Sequence, residues 1–118
     1  MLKISSLSDT GLVRSTNEDF YLFSREHRII IVADGVGGYD YGEVASRLAA
    51  ESAYSLLDNE FDEDDQIETD EPIKLLNKAV VFANKKVIDM KVQRPSHQHM
   101  GTTLTCLYLD NEFVYFSY

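Results

Sequence analysis

The sequence has no excess of basic residues, no pair of cysteines and no long apolar run, and each absence removes a class of function. With 11 Lys and Arg against 20 Asp and Glu, it lacks the basic footprint that grips a nucleic-acid backbone, so no nucleic-acid partner is expected. Cys106 is the single cysteine. No disulfide can form within the chain, and a reducing cytoplasm is the expected compartment. No stretch is long and apolar enough for a membrane-spanning helix, and no basic-then-apolar leader opens the sequence, so no membrane partner is expected. Tryptophan is absent too, which excludes nothing. Neither an internal repeat nor a Pro/Gly/Ser linker divides the 118 residues, and their 44% hydrophobic content suits one domain or part of one.

The acidity that is present is local. Nine acidic residues and no basic one lie between Asp58 and Glu71, and the other 11 acids are balanced by 11 bases. Such a run reads as a solvated loop between helices. A docking strip for a basic partner is the sharper alternative.

Periodicity divides the chain into three regions. Lys3–Leu7, Phe20–Phe23 and Ile29–Ala33 read as strands, the last two joined as a hairpin by the polar Arg25–Arg28. Ile29-Ile30-Ile31-Val32-Ala33 is apolar on both faces, so both faces are expected to be covered. Ala45, Leu48, Ala49, Ser52, Ala53, Leu56 and Leu57 then form one helical stripe. Ile73, Leu76, Val80, Ala83, Val87 and Met90 form a second, in a helix that Pro72 can open and whose far end carries Lys85, Lys86 and Lys91. After a polar loop (Gln93–His99), Thr103–Leu109 and Glu112–Tyr118 read as strands joined by a tight turn at Asp110-Asn111. The final strand is apolar on both faces. Its open edge predicts covering neighbours, from further sequence or from a partner chain over this carboxy-terminal strand.

Two clusters carry chemistry. Asp34 stands at the end of an apolar strand and before Gly35-Val36-Gly37-Gly38, where a carboxylate calls for a positive partner. The glycines allow a sharp turn in which Gly35 can offer its carbonyl to an ion. Hard cations such as Mg²⁺ and Mn²⁺ take oxygen ligands of this kind. An ordinary Asp-Gly turn is the plain alternative. Arg14, Asn17, Glu18 and Asp19 make the second cluster. Adjacent acids in an extended segment point to opposite faces, so Glu18 and Asp19 cannot both face one ion. Arg14 offers a planar fork for phosphate oxygens, or a simple surface ion pair with Glu18.

Ser8-Asp9-Thr10-Gly11-Leu12-Val13-Arg14-Ser15-Thr16-Asn17-Glu18-Asp19 resembles the first motif of the PPM family, the type 2C metal-dependent Ser/Thr protein phosphatases. Ala33-Asp34-Gly35-Val36-Gly37-Gly38, continuing through Gly42-Glu43-Val44-Ala45-Ser46, is similar to the second, and Met100-Gly101-Thr102-Thr103 to a third. The three stand in family order with family-like spacing. The resemblance implies an α+β fold of two packed antiparallel sheets flanked by helices, with residues 1–118 as the amino-terminal part of one such domain. It implies that Asp34 bridges two divalent cations, Mn²⁺ or Mg²⁺, to which Gly35 adds its carbonyl. Arg14 would bind the substrate phosphate, and Glu18 and Asp19 would order metal-bound waters. The implied reaction is attack of a metal-activated water on phosphoserine or phosphothreonine in a phosphoprotein substrate.

Two departures qualify this. Val36 stands where eukaryotic relatives place a histidine acting as general acid, which points to the bacterial type. Tyr39 and Tyr41 also differ from commoner family residues, and line the substrate rim or simply pack. The Gly-Asp-Ser-Arg segment and later aspartates of the family are missing, so the chain alone is expected to have little or no activity. The alternative is a truncated, phosphatase-like binding module. A receiver-like domain fails for want of further acids beside Asp34. His97 and His99 are too few for a second metal site, and Cys106, on a buried strand, reads as packing.

Overall fold

The computed structural model of the chain describes residues 2–37, 41–63 and 71–118. Five strands form one antiparallel sheet: β1 (Asp19–Ser24), β2 (Ile29–Val36), β3 (Gly101–Thr102), β4 (Thr105–Leu109) and β5 (Val114–Ser117). Two helices, α1 (Tyr41–Glu63) and α2 (Glu71–Gln93), lie between β2 and β3 in sequence. The sheet runs β1-β2-β4-β5, with β3 paired to the far end of β2.

β2 organises the molecule because its side chains alternate. Ile29, Ile31 and Ala33 point inward and are fully buried beneath the helices. The register continues this face through Leu22, Cys106, Tyr108, Tyr115 and Ser117. α1 meets it with Ala45, Ala49, Ala50, Ala53 and Leu57, whose small side chains let the helix lie close to β2. α2 adds Pro72, Leu76, Ala79, Ala83 and Val87. Ser46 is also buried, and its hydroxyl donates to the Glu43 carbonyl (3.1 Å). Among the described residues no buried side-chain nitrogen or oxygen lacks a partner.

The hairpin β1–β2, both helices and the antiparallel pairing agree with the sequence reading. Other points differ. The helices cover β2 on one face only. Ile30, Val32, Asp34 and Val36 point outward, and Val32 is 48% and Val36 66% exposed. Of the two sheets that the resemblance implies for a complete domain, the described residues build one, with both helices on its inner side, as expected of an amino-terminal part. Lys3–Leu7 forms no strand. Ile4–Ser8 instead crosses the outer face above Tyr21, Phe23 and Val32, lining with them an open pocket of about 510 Å³. Lying over the sheet rather than beside an edge, it meets no ladder of backbone groups to pair with.

α1 extends through Asp58 and Glu60 to Glu63, so the acidic run begins on a helix; its middle, residues 64–70, lies outside the described residues. The predicted strand Thr103–Leu109 starts two residues later, as β4, and the short β3 precedes it, with Thr103 and Leu104 between them. The turn after β4 spans Asp110–Phe113, held by Asp110 N–H to the Phe113 carbonyl (3.0 Å). The Asp110 carboxylate accepts from the N–H groups of Glu112 (2.7 Å) and Phe113 (2.6 Å).

Candidate metal centre

The outer face of the sheet carries two carboxylates at one end. Asp19 and Asp34 are cross-strand partners in the β1–β2 ladder and share that face. Burial and a hydrogen bond to the Asp34 side chain push the Asp19 carboxyl above the ordinary aspartate value, and the Asp34 charge adds to this; Arg14 draws it back down. Two carboxyl groups facing each other across the ladder mark a place where positive charge is wanted. The donor set, carboxylates beside the Gly35 backbone, therefore fits a hard divalent cation. Among the described residues, no group of three or more His, Cys, Asp and Glu is clustered as a ready ligand set.

Glu18 turns the other way, as alternation requires. Its side chain is 15% exposed and lies against the first turn of α1. A methyl group at Gly42 would stand 2.6–2.9 Å from the Glu18 carboxylate, and one at Gly35 would run into the Gly42 carbonyl. Bare backbone at both positions is what lets β1, β2 and α1 meet here. The Gly35 N–H donates to the Glu18 carbonyl (3.0 Å), closing the junction. Arg14 lies 3.7 Å from Glu18 and keeps a side chain 67% exposed, an open ion pair rather than a tight one.

Thr103 holds Asp34 from behind. Its N–H donates to the Asp34 carbonyl (2.8 Å), and its hydroxyl oxygen accepts from the Asp34 N–H (3.0 Å). The side chain thus takes over a ladder position, which explains the break between β3 and β4. Sequence reasoning placed Thr103 in a motif without giving it a task. Asn17 is a second such residue: its side-chain oxygen accepts from the Asp19 N–H (3.0 Å), and its amide donates to the Ser8 hydroxyl (2.6 Å). An Asn two residues before an extended segment is the available signal, since Asn side chains readily bond the backbone two positions on.

Thus Asp19, Asp34, Gly35, Glu18 and Arg14 converge on one end of the β1–β2 pair. The remaining candidates fall elsewhere. Val36 is exposed on the outer face, one strand position past Gly35. Tyr41 stacks on His97 at a ring separation of 4.0 Å. Tyr39 and Gly38 lie outside the described residues. His99 is exposed while His97 is buried, so the two do not share a surface. Cys106 is a buried free thiol in the inner face.

The family model for protein phosphatase 2C matches residues 13–117. The chain belongs to this family. Among the 2C phosphatases, the Ser/Thr protein phosphatase PstP of Mycobacterium tuberculosis is 35% identical over 111 residues, which are 91% of this chain and 19% of PstP. The protein phosphatase PhpP of Streptococcus pneumoniae is 29% identical over 97% of this chain and 46% of its own length. The crystal structure of M. tuberculosis PstP superposes with a TM-score of 0.76 at 32% identity, over 92% of this chain and 42% of that one. The PstP catalytic domain in complex with two manganese ions gives the same TM-score at 33% identity, with 43% of that chain covered. The α+β fold with its antiparallel sheet and two helices is therefore that of the 2C phosphatases, and the chain spans less than half the length of these relatives.

Proposed function

We propose that residues 1–118 form the amino-terminal part of one phosphatase domain and contribute the Asp34 side of a two-cation site that hydrolyses phosphoserine or phosphothreonine in proteins. The observation that carries this reading is the facing pair Asp19–Asp34, with the Gly35 backbone beside it, on an exposed strand end. The manganese ions of the PstP catalytic domain support it by likeness. Asp34 and Gly35 would hold Mn²⁺ or Mg²⁺, with Glu18 and Asp19 acting through water. When bound, two such cations supply an activated water and neutralise charge on the phosphoryl group.

The chain's own residues prepare that chemistry. The Thr103 clamp fixes the Asp34 backbone, so its carboxylate has no freedom to turn inward. Asp19 and Asp34 gather negative charge where a cation is needed. Arg14, exposed and only loosely paired with Glu18, can turn to a substrate phosphate, which it would grip with two parallel N–H groups. Val36 has no proton to give a leaving group, so that step falls to water or to a group outside the described residues.

With few protein ligands on this chain, cation binding is weak and turnover by the chain alone is small. The reading places the chain in the cytoplasm, supported by its lone, buried thiol. The test combines Mn²⁺ titration, followed by the electron paramagnetic resonance of free Mn²⁺, with hydrolysis of an aryl phosphate. Wild type should bind Mn²⁺, and Asp34→Asn should lose at least about tenfold in affinity. Chelator should abolish whatever hydrolysis occurs. Equal binding by wild type and Asp34→Asn would remove Asp34 from the site.

A further inference from the structure

We infer that His97 is a positioning residue for the candidate metal centre, acting through Tyr41; the inference rests on the site proposed above. His97 belongs to a short 3₁₀ turn (Pro95–His97) far from the centre in sequence, and the residue is 9% exposed. Burial of an imidazole is costly unless its nitrogens are bonded, and Nδ1 lies 3.0 Å from the Ser96 hydroxyl. The ring stacks on Tyr41, with centroids 4.0 Å apart and planes inclined by 29°.

The position of Tyr41 gives this stack its consequence. It is the first residue of α1, and the next residue, Gly42, is the one whose bare backbone meets both the Glu18 carboxylate and Gly35. Contact therefore runs from the His97 ring to Tyr41, then through the chain to Gly42, Glu18 and Gly35. The turn that presents His97 is itself tied down. The His97 N–H donates to the Arg94 carbonyl (2.9 Å), and the His97 carbonyl accepts from the Met100 N–H (3.1 Å). Directly after it, β3 pairs Gly101 with Val36 and Thr102 with Gly35. The 94–102 segment thus holds the centre from two sides, by backbone pairing at Gly35 and by the imidazole face at Tyr41. A flat ring is what the site uses: among the described residues, the ring's hydrogen bond goes to Ser96 and not to a proposed ligand.

The test uses the whole chain and two readouts. The Gly35 amide, bonded to the Glu18 carbonyl, reports the junction by hydrogen exchange in the metal-free protein, and Mn²⁺ affinity reports its use. His97→Leu, which fills the space without a flat face, should speed Gly35 exchange and weaken Mn²⁺ binding, each by about tenfold. His97→Phe, which keeps the stack but loses the Ser96 bond, should restore both. Unchanged Gly35 exchange in His97→Leu would overturn the inference, as would a His97→Phe variant as impaired as His97→Leu. A wild-type chain that takes up no Mn²⁺ would overturn the metal reading itself, and the exchange data would still decide whether His97 sets the junction.

Discussion

Cys106 sits fully buried on the inner face of β4, and burial pushes its thiol from 9.0 up to about 12. An acid raised in this way stabilises the fold only while protonated. Its contribution is complete below pH 9 and is lost as pH rises from there towards 12. Urea unfolding should therefore show stability falling between pH 9 and pH 10.5, with a shallower fall in Cys106→Ala; identical slopes would place the loss elsewhere. The same burial makes the thiol slow towards disulfide reagents at pH 8 until the chain unfolds. Gly42 is a second informative residue. A methyl group there collides with the Glu18 carboxylate, so Gly42→Ala should cost about 1–3 kcal/mol in urea unfolding. A change near zero would mean that Glu18 moves aside freely. The place of Asp34 and Gly35 at the end of an apolar strand was legible from residue type and neighbours alone. Thr103 was not, because its bond to Asp34 joins positions 69 residues apart, and no local pattern records such a pairing.

At the scale of elements, α2 separates two ways of choosing a buried stripe. Periodicity selects Ile73, Leu76, Val80, Ala83, Val87 and Met90, whereas the fold buries Pro72, Leu76, Ala79, Ala83 and Val87 and leaves Ile73 42% exposed. Small residues such as Ala79 carry too little apolar area to mark a face in sequence, yet they decide how closely helices approach. Leu76→Ala should cost about 2–5 kcal/mol, and Ile73→Ala about 0.5 kcal/mol or less, both from urea unfolding. Equal losses would mean that the helix is rotated about its axis. Helix ends were harder to read than helix faces. The acidic run hid the last turns of α1, since charge signals solvent without distinguishing a solvated helix from a solvated loop.

The whole molecule is thin, 43 × 33 × 18 Å, a helix layer upon a single sheet. Its outer face presents Val32 on β2 and Val114 and Phe116 on β5 at 48–58% exposure, and Ile30, Leu107 and Phe116 form one row of the register across it. A contiguous apolar face of this kind drives association. Sedimentation of the chain should show mass rising with concentration, and Phe116→Lys should shift it back towards monomer; a monomer at all concentrations would show that the face is masked. The sequence announced this face through strands apolar on both sides, but not which side the helices take. That choice follows from α1, whose alanines match the inward residues of β2.

Alternation along β2 carries one more consequence, for folding fidelity. Inward positions end in Ala33 and Gly35, outward ones in Asp34 and Val36. Sliding β2 by one residue would drive the Asp34 carboxylate under α1 and set Val36 against Gly42, where no side chain fits. The acid that draws in a cation thus also vetoes misaligned pairing while the hairpin forms, well before any ion arrives.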